Sequence, residues 1–488
     1  MTGAGHSSRT HRRTVGLALL CAAAMPAVPF ATPAQSAKRS TAVAVAPLGP
    51  CGPPRPGAYA TAECGAIRVF ENRRSRQGRT IDVAFARWRA ETQPAAGAVF
   101  FLAGGPGAGG GSVADSVHDW ASPLRATLDL VVVDQRGTWF SNALHCARDI
   151  EIKPAAAFGH IFDPDWVREC RRLLERTADL RLYSTDLAAE DLDDVRAELG
   201  YERIGVYGGS YGTRLAQAYM RRFPDRTRAV VLDAALPFDV KVPLSYAAGA
   251  QGALDRVLDD CASRPICRGT YPNLRGDFTR LLDRFRDGPI ATSVTDGAGA
   301  TVPVRMSRGD FGYAVRGILY RPDQLNQLPG WINRAAASGN VTWFAQRYWE
   351  RALTFSRTFA TGLHFSILCS EDVAFISDDE IDKAAARTFL GRFVIDEYRN
   401  ACALWPVAPV SAELRKPVAS AVPTLLLSGA YDPVTPPAFA DRIAASLTNA
   451  RHLVSRTNAH GSVGGCAGSA AVHVLRTGTL TGMPDTCR

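Results

Sequence analysis

Past its first 37 residues the chain lacks any run of 18 apolar residues, so no segment there is long enough to cross a bilayer as a helix. It lacks an internal repeat, which excludes solenoids and propellers. It lacks a Lys/Arg stripe with interleaved aromatics, which excludes a nucleic-acid surface and leaves the excess positive charge as solvated surface. No cysteine stands in CxxC or Cys/His metal spacing, so no structural metal is expected. With 46% hydrophobic and 21% charged residues the composition is not that of a disordered chain.

What is present suits an exported globular protein of 488 residues, enough for one large core plus an insertion. Arg9, Arg12 and Arg13 lead into an apolar run from Val15 to Met25, and small residues follow between Ala31 and Ala37. Residues 1–37 therefore read as an export signal and are set aside from the fold. Arg12-Arg13 with Thr14, Val15 and Leu17 loosely suits a twin-arginine signal, while Leu20 before Cys21 argues against a lipid anchor, which needs a small residue there. Removing this segment lowers the formal charge from +9 to +6. Ten cysteines remain, Cys51, Cys64, Cys146, Cys170, Cys261, Cys267, Cys369, Cys402, Cys466 and Cys487, in five sequence-adjacent pairs. An even number in an exported chain reads as structural disulfides, with the connectivity left open.

Short apolar, β-branched runs lie at 66–71, 80–88, 98–103, 128–134, 203–207, 229–233, 424–428 and 452–455. Several, such as Val131-Val132-Val133 and Leu425-Leu426-Leu427, are continuous rather than alternating, as strands buried on both faces must be. Helical segments separate them. In one, Ser184 or Thr185 can cap, Ala188, Leu192, Val195 and Leu199 share a face, and Gly200 can terminate. The expected fold is therefore α/β, an eight-stranded and mostly parallel sheet. The region 238–416 breaks the rhythm, is helix-rich and falls between the sixth and seventh strands, so it is expected to be a largely helical cap. The expected domains are core residues 38–237, the cap 238–416, and core residues 417–488; the Pro-rich stretch 47–56 reads as an extended lead-in held by Cys51.

The strongest local pattern is Gly208-Gly209-Ser210-Tyr211-Gly212, between the run Ile204–Tyr207 and a helix-like segment 213–223. A strand that reverses this sharply into a helix crowds its backbone and leaves the serine hydroxyl exposed at the helix start, a nucleophile elbow. A serine hydroxyl needs an adjacent base, which in this architecture follows the acid along the chain. Asp432 lies just beyond the strand 424–428, in Asp432-Pro433-Val434-Thr435-Pro436, and His460 follows the last strand. Asp233, at the end of the sixth strand, is the rival acid, whereas His452 lies within a strand pattern and His473 within a helical one. Donors for an oxyanion are expected from the backbone N–H groups of Tyr211 and Gly105, the latter in the loop Gly104-Gly105-Pro106-Gly107 after the third strand.

These motifs, with Asp134-Gln135-Arg136-Gly137, resemble the prolyl iminopeptidase family of α/β-hydrolase serine peptidases, in particular its secreted tripeptidyl aminopeptidase-like branch. The similarity spans most of the mature chain, including the cysteine layout and the segment 422–488. Two positions depart from it. Ala103 stands where many members have His before the glycines, and Trp139 stands where a small residue often follows, which predicts an unusual pocket rim. The resemblance implies a cofactor-independent exopeptidase acting through an acyl-enzyme on Ser210; a carboxylesterase acting on small esters would use the same triad. A carboxylate binding the substrate's free amine would separate the two, and Glu371 and Asp372, just after Cys369, are the expected candidates.

Overall fold

The computed structural model describes residues 44–51, 57–146, 153–483 and 486. The export segment with Cys21, and also Cys487, lie outside the described residues. Among the described residues eleven strands form: β1 Ala44–Pro50, β2 Glu63–Phe70, β3 Thr80–Trp88, β4 Ala98–Leu102, β5 Asp129–Val133, β6 Ile204–Gly209, β7 Thr227–Asp233, β8 Ile290–Thr295, β9 Thr301–Met306, β10 Thr424–Gly429 and β11 Ala450–Ser455. Nine of them build one sheet in the order β1-β2-β3-β5-β4-β6-β7-β10-β11. The links β1 to β2, β2 to β3 and β3 to β5 are antiparallel, and every other link is parallel.

All eight runs read from the sequence are strands of this sheet, and β1 makes it nine rather than eight. The stretch 47–56 is expected only as a lead-in, and its first residues instead belong to β1, Ala44–Pro50. Its prolines are tolerated because it sits at the edge, where one side of the strand has no partner to bond.

The parallel strands are covered on both faces. Val131 and Leu426 pack into one buried cluster, beneath the helices Thr185–Glu198 and Gly212–Arg222, while Val132, Leu425 and Leu427 pack into another beneath Gly111–Ala121 and Gly465–Thr477. Neighbouring residues thus feed opposite cores, which is why these strands read as unbroken apolar runs. Helix Thr185–Glu198 starts as its sequence demands, the Ser184 hydroxyl accepting from the Leu187 N–H at 3.4 Å, and ends at Gly200 with φ +77°.

Chain direction reverses across the sheet at β4, whose sequence successor β5 lies to one side and β6 to the other. The loops after β4 and β6 therefore diverge above the sheet and open a crevice at the strands' C-terminal ends. Between β7 and β10, which are parallel neighbours, the chain makes a long excursion of helices plus the antiparallel hairpin β8–β9. No helix among the described residues is long and apolar enough to cross a membrane. Four disulfides join Cys51–Cys64, Cys146–Cys170, Cys261–Cys267 and Cys369–Cys402, each a sequence-adjacent pair. Cys466 is also disulfide-bonded.

Candidate active site

Ser210 stands at the end of β6 with φ +55°, a left-handed conformation costing roughly 1–3 kcal/mol for a residue with a side chain. The surrounding glycines explain how the chain holds it. A Cβ on Gly208 would lie 2.4 Å from the Gly212 carbonyl oxygen, and one on Gly212 would lie 2.4 Å from that of Leu102. Gly209 is different, since nothing would come closer to its Cβ than 3.8 Å. The outer glycines are thus required by contact with backbone, which cannot yield.

The Ser210 hydroxyl donates to His460 Nε2 at 2.9 Å, and His460 Nδ1–H donates to the Asp432 carboxylate at 2.9 Å. Asp432 is buried at 2% exposure and also accepts from the Val434 N–H at 2.8 Å, the Thr435 N–H at 2.9 Å and the Thr435 hydroxyl at 2.7 Å. Burial works to raise its pKa, but His460 and these hydrogen bonds outweigh it and hold the carboxyl below its ordinary value. The Asp-Pro-Val-Thr sequence therefore makes both the turn and the acid. The histidine loop is tied down beside it: Tyr431 N–H bonds the Asn458 carbonyl at 3.1 Å, and a Cβ on Gly429 would lie 2.0 Å from the Ala459 carbonyl oxygen.

Asp233 makes no hydrogen bond to His460. Its carboxylate accepts from the N–H groups of Ser462 at 2.8 Å and Val463 at 3.1 Å and from the Tyr207 hydroxyl at 2.9 Å, while its carbonyl accepts from the Ser210 N–H at 2.8 Å. It joins the serine elbow to the histidine loop, and burial raises its pKa. His452 and His473 are also elsewhere, the first between Asp441 and Ser428 and the second against the Thr481 carbonyl.

Ser210 and His460 open into a cavity of about 550 Å³ whose lining includes Gly104, Gly105 and Tyr211. Neither the Tyr211 nor the Gly105 N–H has a protein acceptor among the described residues. A Cβ on Gly104 would lie 3.0 Å from Ser210 Cβ, so only bare backbone can pass this close to the serine. Sequence reasoning missed what supports that loop. His364, on the helix Thr361–Glu371, donates through Nδ1–H to the Pro106 carbonyl at 2.8 Å and accepts from the Tyr398 hydroxyl at 2.8 Å. Burial pushes its pKa down to about 4, so it is a neutral prop at physiological pH. No motif marks it, because its partner lies 258 residues away.

The structure does not bring Glu371 or Asp372 into the cavity. Both are buried, at 2% and 0% exposure, and already engaged. Glu371 accepts from the Thr185 N–H and hydroxyl, each at 2.7 Å, and Thr185 in turn meets the Tyr211 hydroxyl at 2.8 Å. Burial raises the Glu371 pKa to about 7. Asp372 pairs with Arg214, on the helix that follows Ser210, at 2.7 Å. Of the two positions expected to alter the pocket rim, neither lines this cavity. Trp139 is packed over the Gly-rich loop, its ring 2.2 Å from where a Gly109 Cβ would stand, and Ala103 is buried beneath.

A half-buried serine opening into a cavity and bonded to a histidine that is bonded to a buried carboxylate, beside two unused N–H donors, is the equipment of a serine hydrolase. Residues 97–463 match the alpha/beta hydrolase fold family, and the chain belongs to that family. It is similar to the serine protease Hip1 of Mycobacterium tuberculosis, 27% identical with 76% of each chain covered. It is also similar to carboxylesterase B of the same organism, 28% identical with 86% of this chain and 85% of the other covered. A tripeptidyl aminopeptidase of Streptomyces lividans is 30% identical over 35% of each chain.

Proposed function

We propose that this serine hydrolase is an exported aminopeptidase that releases N-terminal residues or short peptides through an acyl-enzyme on Ser210. The observation that carries the hydrolase chemistry is the unbroken hydrogen-bonded run from Ser210 through His460 to Asp432, which a carboxylesterase would share. His460 takes the hydroxyl proton as Ser210 attacks the carbonyl, and Asp432 stabilises the imidazolium. The Tyr211 and Gly105 N–H groups receive the oxyanion. The proton passes to the leaving amine, and a water activated by the same imidazole then hydrolyses the acyl-enzyme. The segment 238–416 acts as the cap over the cavity, and this chemistry requires no metal or cofactor. Export is supported by the signal-like residues 1–37 and by disulfide pairing.

A substrate ammonium needs a carboxylate, and with Glu371 and Asp372 outside the cavity, Glu350 takes that part as the one acidic residue among the described residues lining it, half-exposed beside Arg347. A second reading, a carboxylesterase, is favoured by the five arginines that line the same cavity against that single acid. Peptidase character is supported by the motif pattern and by the similarity to a serine protease and a tripeptidyl aminopeptidase. The test compares kcat/KM for a free tripeptidyl amide, its N-acetyl form and short acyl esters. Glu350 is half-exposed and already paired with Arg347, so losing the substrate ammonium costs about 1 kcal/mol; acetylation should slow cleavage about fivefold, and Glu350→Gln should shrink that gap. Equal cleavage of the acetylated peptide, or strong preference for the esters, rejects the aminopeptidase.

A further inference from the structure

The five arginines lining the cavity are not equally matched. Arg214 is held by Asp372 at 2.7 Å, Arg321 by Asp323 at 3.2 Å, and Arg347 by Glu350. Arg316 and Arg351 have no carboxylate within ion-pair distance among the described residues. Arg316 is only 2% exposed, and the Nε atoms of both residues are buried without a hydrogen-bond partner.

Tyrosines surround the pair instead. The Arg316 guanidinium carbon lies 3.9 Å from the centre of the Tyr246 ring, and an Arg316 Nη donates to the Tyr320 hydroxyl at 2.9 Å. That of Arg351 lies 4.7 Å from the Tyr320 ring centre and 5.3 Å from that of Tyr313. The π faces attract cations without taking up N–H donors, and the tyrosine hydroxyls leave both Nε donors unspent. The charges reach their neighbours: burial raises the Tyr313 pKa, yet Arg351 and Arg316 together draw it below its ordinary value. The backbone also makes room. A Cβ on residue 317 would lie 3.0 Å from the Arg351 side chain, and Gly317 leaves that space free. On its other side the Tyr320 ring packs edge-on to His460, with centroids 5.0 Å apart. Both guanidiniums therefore sit one aromatic ring away from the triad, facing a cavity large enough for a short peptide.

A buried cation and a half-buried one, each with an unused Nε donor, are costly unless an anion completes them, and guanidinium donors match a carboxylate's geometry. We propose that Arg316 and Arg351 form a carboxylate subsite, so that the preferred substrate carries a carboxylate, supplied by the free C-terminus of a short peptide or by an acidic side chain. The proposal rests on the hydrolase reading above and narrows its substrate class.

The test uses peptide pairs that differ in one group: C-terminal acid against amide, and Glu against Gln near the scissile bond. A glutaryl p-nitrophenyl ester is set against its methyl-capped form. The wild type should favour the charged member of at least one peptide pair by about ten- to hundredfold in kcat/KM, the usual worth of hydrogen bonds to a charged group. The pair that shows the preference identifies the carboxylate's source. Arg316→Gln and Arg351→Gln should each bring that ratio towards one. Equal rates within every pair, or a preference that survives both substitutions, overturn the subsite. Should the substituted proteins melt too low to assay, binding of glutarate and of neutral glutaramide to Ser210→Ala decides: glutarate should bind at least tenfold more tightly, and equal binding overturns the proposal. If no peptide is cut but the glutaryl ester outpaces its capped form, the subsite stands and the aminopeptidase falls. If peptides are cut without regard to charge, the reverse holds.

Discussion

The sheet and the segment inserted between β7 and β10 face the same cavity but contribute to it differently. The sheet supplies Ser210, Asp432 and His460, each in a turn immediately after a parallel strand and held by contacts to nearby backbone. The insertion supplies Arg316, Glu350, Arg351 and His364 from the helices Arg308–Leu319, Thr342–Thr358 and Thr361–Glu371, each placed by packing against distant chain. Chemistry built on strand ends is fixed by local geometry. Selectivity built on inserted helices depends on how those helices dock.

The sharpest way to break this comparison is to remove the nucleophile. Ser210→Ala should abolish labelling by an organophosphonate and lower kcat by several powers of ten. His460→Ala should cost a similar factor, and the double substitution little more, because the two act as a unit. Labelling that persists at another serine would move the chemistry out of the sheet.

Next in size is the contrast between two acids that the sequence alone left as rivals. Asp432→Asn should lower kcat about ten-thousandfold, since an amide cannot hold the imidazole in the required tautomer, and its new donor facing the Val434 or Thr435 donors should also cost about 1–3 kcal/mol of stability. Asp233 accepts three hydrogen bonds that stitch the two loops together. In Asp233→Asn an amide donor must face one of those donors, so the protein should lose about 1–3 kcal/mol of stability with a much smaller drop in kcat. The opposite ranking in kcat would exchange the two roles.

The elbow glycines test how local the control is. Gly208→Ala or Gly212→Ala drives a methyl to 2.4 Å from a carbonyl oxygen and should cost about 3 kcal/mol or more, read as a lower denaturation midpoint. Gly209→Ala, with no contact closer than 3.8 Å, should cost less than about 1 kcal/mol. The pattern Gly-x-Ser-x-Gly was legible in the sequence because the Gly208 clash, with Gly212, involves residues four apart. The eight strands were legible for a related reason, since burial on both faces leaves continuous apolar runs such as Val131-Val132-Val133. The edge strand β1 was not, because it carries prolines and none of that pattern. Glu371 and Asp372 were placed in the right neighbourhood but given the wrong partners. Nothing within a few residues of them shows that Thr185 and Arg214, 186 and 158 positions earlier, take up their oxygens.

The smallest expected effect probes the helix Thr361–Glu371, which clamps the insertion to the sheet at both ends, His364 on Pro106 and Glu371 on Thr185. Burial shifts their pKa values in opposite directions, His364 from 6.5 down to about 4 and Glu371 from 4.5 up to about 7. As pH falls from 6.5 to 4 the unfolded chain binds a proton on His364 that the folded protein refuses, so this residue removes stability on acidification. Between pH 7 and 4.5 the folded protein binds a proton on Glu371 that the unfolded chain does not, so Glu371 adds stability on acidification. From pH 7 to pH 5 each contribution amounts to roughly 2 kcal/mol, and the two nearly cancel. Urea unfolding at the two pH values should therefore show Glu371→Gln losing roughly 2 kcal/mol more than wild type on acidification, and His364→Gln losing roughly 2 kcal/mol less. If both variants follow the wild-type profile, neither group is desolvated as its burial implies, and the clamp between insertion and sheet is open to water.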